Sequence, residues 1–234
     1  MSKAIWPVLG LWLAAPCAAQ LPEKPAIHLR SQWSASAAGA IPLDETKVRI
    51  IIHHADILVT DEMKKTEPKK SWEESKAYAR QVQYLHKRVN GWSDIGYHYL
   101  VDWEGRILQG RLVNELGAHT DGHNEGSIGI ALMGDLQNQH PTQKQLKGLK
   151  SLLAWLTYAY KISPENIHGH HDYNATACPG VYLENEQDPH NPLRRIRLEL
   201  LASRRHEIVA PQLLQSLQGD LPALFGAPGP RATP

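Results

Sequence analysis

Five residues stand out for the chemistry they could do: the doublets His53–His54 and His170–His171, and Cys178. Histidine is the commonest metal ligand, and cysteine thiolate binds zinc well. On an extended chain adjacent side chains point to opposite faces, so each doublet on a strand is expected to supply one ligand, not two. Two histidines and one thiolate leave a tetrahedral zinc with an open position, the pattern of a catalytic site and not of a closed structural one. Such a metal would hold Cys178 as thiolate, protect it from oxidation, and lower the pKa of a coordinated water to about 7. On residue types and spacing alone, a zinc hydrolase and a set of ordinary core and surface histidines weigh equally.

Composition supports the first reading without deciding it. The 234 residues include 13 histidines, against roughly five at an ordinary frequency near 2%. Lys and Arg number 25 against 24 Asp and Glu. With no basic excess and no polybasic run, neither a nucleic-acid partner nor an anionic membrane surface is expected. A hydrophobic content of 42% over this length suits one well-packed domain with appendages.

Residues 1–19 read as a signal peptide: Lys3, then a short apolar core from Ile5 to Ala15, then Cys17-Ala18-Ala19 with small residues at the cleavage-determining positions. Cleavage after Ala19 is expected, giving a periplasmic or secreted protein with no transmembrane anchor, since the apolar stretch is too short for a permanent span. Lipid attachment at Cys17 is the alternative, disfavoured by Pro16 where a small residue is wanted. Removing Lys3 leaves 24 basic and 24 acidic residues, and leaves Cys178 as the single cysteine. One cysteine allows no intramolecular disulfide, and a lone thiol in an oxidising compartment is a liability unless a metal holds it.

The elements that must position these groups alternate between strand and helix. Residues 20–46 form a lead-in with no clear periodicity. Val48 to His54 is a β-branched run suited to a strand buried on both faces. Residues 61–70 read as a charged surface loop. Ser71 with Glu74 forms a capping box opening a helix, along which Tyr78, Val82, Leu85 and Val89 share a face until Gly91 stops it. Segments 97–101 and 106–111 read as a hairpin turning at Glu104-Gly105, and Ser127 to Met133 as a second buried strand. Thr142 and Gln145 form a second capping box, followed by a stripe of Leu146, Leu149, Leu153, Leu156 and Tyr160. A short strand over 166–169 and a charged helix over 193–209 complete an α/β fold, a single mixed β-sheet with helices packed on it. The expected organisation is a signal peptide (1–19), a lead-in (20–46), a zinc-site domain (47–209) and a Pro- and Gly-containing tail (210–234).

Several segments together resemble the family of peptidoglycan recognition proteins and type 2 N-acetylmuramoyl-L-alanine amidases, over roughly residues 28–200. They are Arg30-Ser31-Gln32-Trp33; Ile51-Ile52-His53-His54; Gln83 and His86; and Gly91-Trp92-Ser93-Asp94-Ile95-Gly96-Tyr97-His98. Gly117-Ala118-His119-Thr120 follows, with Asn124 and Ser127-Ile128-Gly129-Ile130, and then Gly169-His170-His171-Asp172 with Ala175 to Gly180. The resemblance implies a zinc-dependent amidase acting on peptidoglycan or muropeptides, expected as a monomer. It implies zinc ligands His53, His170 and Cys178. It places Tyr97 beside the water and the transition state, Thr176 at a second catalytic position, and His98, His119, Thr120 and Asn124 along the substrate groove.

Departures from the family pattern narrow the reading. His171 stands where relatives usually show arginine. Ala131 stands where the cytoplasmic anhydromuramyl branch places a glutamate base, so this chain resembles the tyrosine-dependent branch. The rival readings are a non-catalytic peptidoglycan-binding module of the same fold and a zinc N-deacetylase or peptidase acting on the same polymer. Retention of Cys178 and both histidines favours catalysis over binding alone.

Overall fold

The computed structural model describes residues 21–56, 71–185 and 187–204. The expected signal peptide, Cys17, the 61–70 loop and the tail lie outside the described residues. Six strands form one sheet: β1 (Ile27–His28), β2 (Arg49–Ala55), β3 (Tyr99–Val101), β4 (Ile107–Gln109), β5 (Ser127–Met133) and β6 (Ile167–Gly169), in the spatial order β1-β4-β3-β5-β2-β6. Only β3 and β4 pair antiparallel; the other four pairings are parallel. The sheet is therefore mixed, as expected.

β2 and β5 run side by side over seven residues each, from Arg49 opposite Ser127 to Ala55 opposite Met133. Both are central and nearly continuous in apolar residues, as a strand covered on both faces requires. Their two-residue period sorts side chains between two cores. Ile50, Ile52, Ile128, Ile130 and Leu132 face a core completed by α2 (Gln143–Ala159) and by α3 over residues 192–204. Ala55, Ala131 and Met133 face a second core with Trp33 and with Tyr78, Ala79 and Val82 of α1 (Trp72–Tyr84). Each leucine buried from α2 contributes about 1.5–3 kcal/mol relative to exposure. Among the described residues no helix is long and apolar enough to cross a membrane.

Several local details differ from the sequence expectations. Residues 20–46, read as a lead-in, supply edge strand β1 and the fully buried Trp33, whose indole N–H donates to the Gln109 carbonyl. The Ser71–Glu74 capping box forms. The helix it opens gives way at Leu85 to one wider π-type turn, Leu85–Val89. That turn breaks the expected stripe: Val89 is 70% exposed, while His86 reaches inward to accept a hydrogen bond from the Gly96 N–H. Thr142 caps α2, but Gln145 does not return the bond. Its buried amide instead donates to the carbonyls of Val101 and Met133, which end β3 and β5. The hairpin turn presses against α2: a Cβ at Gly148 would stand 2.3 Å from the Gly105 carbonyl oxygen, so the helix admits only glycine there.

Candidate metal centre and its surroundings

Side-chain alternation along β2 places His53 on the α1 face and His54 on the opposite one. His53 is 1% exposed, and His54 accepts a hydrogen bond from the Leu136 N–H at 3.0 Å. The second doublet separates for a different reason. β6 ends at Gly169, and His170–Asp172 is a single 3₁₀ turn, so strand alternation does not apply there. One member still reaches the site: His53, His170 and Cys178 bring donor atoms within 4.8 Å of one another.

The protonation pattern of these side chains suits metal binding. His170 Nε2 lies 3.1 Å from Asn174 Oδ1; a carbonyl oxygen only accepts, so Nε2 carries the proton and Nδ1 keeps its lone pair. His53 Nδ1 lies 3.6 Å from Cys178 Sγ. Zn–S and Zn–N bonds at a tetrahedral angle separate sulfur from nitrogen by roughly 3.6 Å, so the spacing fits zinc. Burial pushes the Cys178 thiol up to about 12 when no cation is beside it. Burial, reinforced by His170 and His54, holds His53 well below the ordinary histidine range, in the neutral form a ligand needs.

The turn that carries Cys178 is tied in place by its neighbours. The His171 N–H donates to the Cys178 carbonyl at 2.9 Å, and the Cys178 N–H donates to Thr176 Oγ1 at 3.2 Å. Thr176 is itself exposed. Because its hydroxyl oxygen accepts that bond, its own proton remains available to donate.

The Tyr97 ring packs, tilted, against His53 with centroids 5.1 Å apart and against His86 with centroids 5.3 Å apart. Burial, and after it the nearby Cys178, raise the Tyr97 phenol far above its ordinary value, so it stays a protonated donor. A polar network fixes the segment ahead of it. Asp94 receives Arg30 at 2.7 Å and the Gln83 amide at 2.6 Å, and Arg111 donates to the Ile95 carbonyl at 2.7 Å. These contacts give physical roles to Arg30, Gln83 and His86, which the sequence offers only as points of resemblance.

The four expected groove residues do not act alike. His98 is fully buried, accepting from the Gly129 N–H at Nδ1 and donating to the Glu115 carbonyl from Nε2, each at 2.9 Å. With both nitrogens committed to backbone it braces β5 against the 111–118 loop. Thr120 is 1% exposed and also turned inward. Asn124 Oδ1 accepts from the N–H groups of His119 and Thr120 at 2.7 and 2.9 Å, which folds the loop. His119 stands directly behind His53: its Nδ1 lies 3.1 Å from His53 Nε2 and 2.9 Å from Thr120 Oγ1. That contact is of the kind that orients a metal-binding imidazole. His119 Nε2 is buried with no hydrogen-bond partner.

This placement of His119 depends on two glycines. A Cβ at Gly129 would stand 2.4 Å from the His119 ring, and one at Gly117 2.6 Å from it. A glycine inside the buried strand Ser127–Met133 is the sequence signal for such a close approach.

Comparison with known proteins agrees with the geometry. The family model for N-acetylmuramoyl-L-alanine amidase (Amidase_2) matches residues 44–181. Peptidoglycan-recognition protein LB of Drosophila melanogaster is 35% identical over 114 residues, covering 47% of this chain and 49% of that protein. The chain thus matches about half the length of that relative. The solved complex of tracheal cytotoxin with the ectodomains of peptidoglycan recognition proteins LCa and LCx superposes with a TM-score of 0.59 at 30% identity, covering 67% of this chain and 90% of that one. The endolysin N-acetylmuramoyl-L-alanine amidase LysCS from Clostridium intestinale superposes with a TM-score of 0.59 at 26% identity, covering 76% and 97%. With its sheet, its His–His–Cys cluster and this match, the chain belongs to the Amidase_2 family, whose members here include peptidoglycan recognition proteins and N-acetylmuramoyl-L-alanine amidases.

Proposed function

We propose that this chain is a zinc-dependent N-acetylmuramoyl-L-alanine amidase, hydrolysing the amide between the muramyl lactyl group and L-alanine in peptidoglycan. The observation that carries the reading is the His53–His170–Cys178 cluster, whose donor atoms lie within 4.8 Å of one another; three protein ligands leave a tetrahedral zinc one open position. When bound there, zinc supplies Lewis acidity and an activated water near neutral pH.

The protein side chains divide the remaining work. Asn174 holds His170 in the required tautomer, and His119 packs behind His53 as a partner for its Nε2. Tyr97 keeps its proton and donates it as a hydrogen bond toward the oxyanion that develops on the attacked carbonyl, a contribution of a few kcal/mol. Thr176, exposed beside Cys178, supplies a second hydroxyl on the substrate side. Proton return to the departing nitrogen releases the L-alanine amine. Peptidoglycan or its muropeptides are the substrate class, in keeping with a solved relative that holds tracheal cytotoxin. We place the enzyme outside the cytoplasm, exported through residues 1–19.

Mass analysis of purified peptidoglycan after digestion with the zinc-loaded protein tests the reading. Stem peptides with a new N-terminal L-alanine and intact glycan chains are expected. New reducing sugar ends, free acetate or internally cut peptides would replace it with another hydrolase. Fragments bound tightly but left uncut would replace it with a binding module.

A further inference from the structure

The turn that brings His170 to Cys178 brings His171 to a second group of donors. His171 Nε2 lies 3.5 Å from Asp172 Oδ1 and 3.7 Å from Glu184 Oε2. One donor atom from each of the three residues falls within 4.8 Å of the others. The Glu184 side chain is only 5% exposed, and its Oε1 accepts from Arg197. Its Oε2 and His171 Nε2 are both buried without a hydrogen-bond partner. A Cβ at Gly169 would stand 2.1 Å from Oε2, so this carboxylate is seated where only glycine admits it.

These separations are too long for hydrogen bonds, which run about 2.7–3.2 Å between nitrogen and oxygen. They are close to the roughly 3.4 Å that separates nitrogen and oxygen ligands around a tetrahedral ion with bonds near 2.1 Å. A buried carboxylate oxygen and an imidazole nitrogen facing each other without a bond are costly unless a third group lies between them. The same residues line a cleft of about 460 Å³ beside α3, which none of His53, His170 and Cys178 lines.

We propose that His171, Asp172 and Glu184 form a second divalent-cation site, suited to zinc or a similar ion, open to solvent through this cleft. Arg194 and Arg197 also line the cleft. Their positive charge, and the absence of a thiolate, make this site the weaker of the two. The proposal is independent of whether the first cluster hydrolyses anything.

Titration of the full chain with Co²⁺, read by absorbance and by native mass spectrometry, tests it. Two equivalents are expected. The first brings the thiolate-to-cobalt charge-transfer band of Cys178, and the second adds none. Glu184→Gln and His171→Arg should each lose one equivalent, the one without the thiolate band, and keep the other. His171→Arg supplies a permanent cation to the two carboxylates, so it keeps its fold and decides the matter alone if Glu184→Gln is unstable. A single equivalent in the unaltered chain, or a thiolate-free equivalent that persists in His171→Arg, overturns the proposal.

Discussion

The two histidine doublets look alike in the sequence and are resolved by different means. His53–His54 sits near the end of a seven-residue central strand, where pleating alone turns His53 into one face and His54 into the other. His170–His171 follows a three-residue strand and lies in a tight turn, which the His171 N–H ties to the Cys178 loop by donating to the Cys178 carbonyl. One doublet is set by secondary structure and the other by tertiary contact. One histidine of each doublet joins the cluster with Cys178, but strand geometry accounts only for the first.

The largest expected effect removes what both doublets face. Cys178→Ser replaces the thiolate with a neutral hydroxyl, a much poorer zinc ligand, and should lose most of the metal and nearly all turnover. Stoichiometric zinc measured in that variant would contradict the ligand set. Next is Tyr97→Phe, which touches only the first doublet's side of the site. It should keep zinc and substrate binding while lowering kcat about 10²-fold or more, the scale of one lost oxyanion donor. A variant that loses KM instead of kcat would make Tyr97 a substrate contact.

Acid should then separate the strand-set side from the rest through stability. Burial holds His98 at about 3 and His86 at about 4, against an ordinary 6.5. Both lie below their unfolded values, so the unfolded chain binds more protons as pH falls. Their contribution is full above about pH 6.5 and is lost progressively as pH drops toward 4 and then 3, by several kcal/mol in total. Thermal melts in chelator across pH 7 to 4 should fall steadily, and a flat profile over that window would rule the effect out. The smallest effect comes from the outward histidine. His54→Ala should retain metal and most activity but lose about 1–3 kcal/mol in denaturant titrations, because the Leu136 N–H loses its acceptor. Metal loss in His54→Ala would reverse the reading of the first doublet.

Legibility in the sequence followed the same division. Strands β2 and β5, the capped start of α1 and the apolar stripe of α2 announce themselves because their patterns are local and long. Strand β1 has two residues, too few for a period to register, and its place comes from pairing with β4. The π-type turn after Tyr84 carries no composition signal; its effect on His86 and Val89 follows from packing of the 91–97 segment. Gln145 reads as a cap and serves instead as a clamp on two strand ends, because a buried amide takes the acceptors that tertiary structure offers. At the candidate site the inward members of both doublets and Cys178 were legible through motif resemblance. The station of His119 behind His53 was not, since it depends on a close approach across Gly117 and Gly129.

The wide separation of the clustered donors has a kinetic consequence. His53 and Cys178 are 125 residues apart in the chain, and His53 stands on a strand whose partners β5 and β6 are themselves distant in sequence. Closing loops of that length costs entropy before any contact rewards it, so such topologies fold slowly. A metal ion gathered by closely spaced ligands can act as a nucleus for a small fold. Here the ion would arrive after the sheet is assembled, and would slow its disassembly by binding the finished state alone.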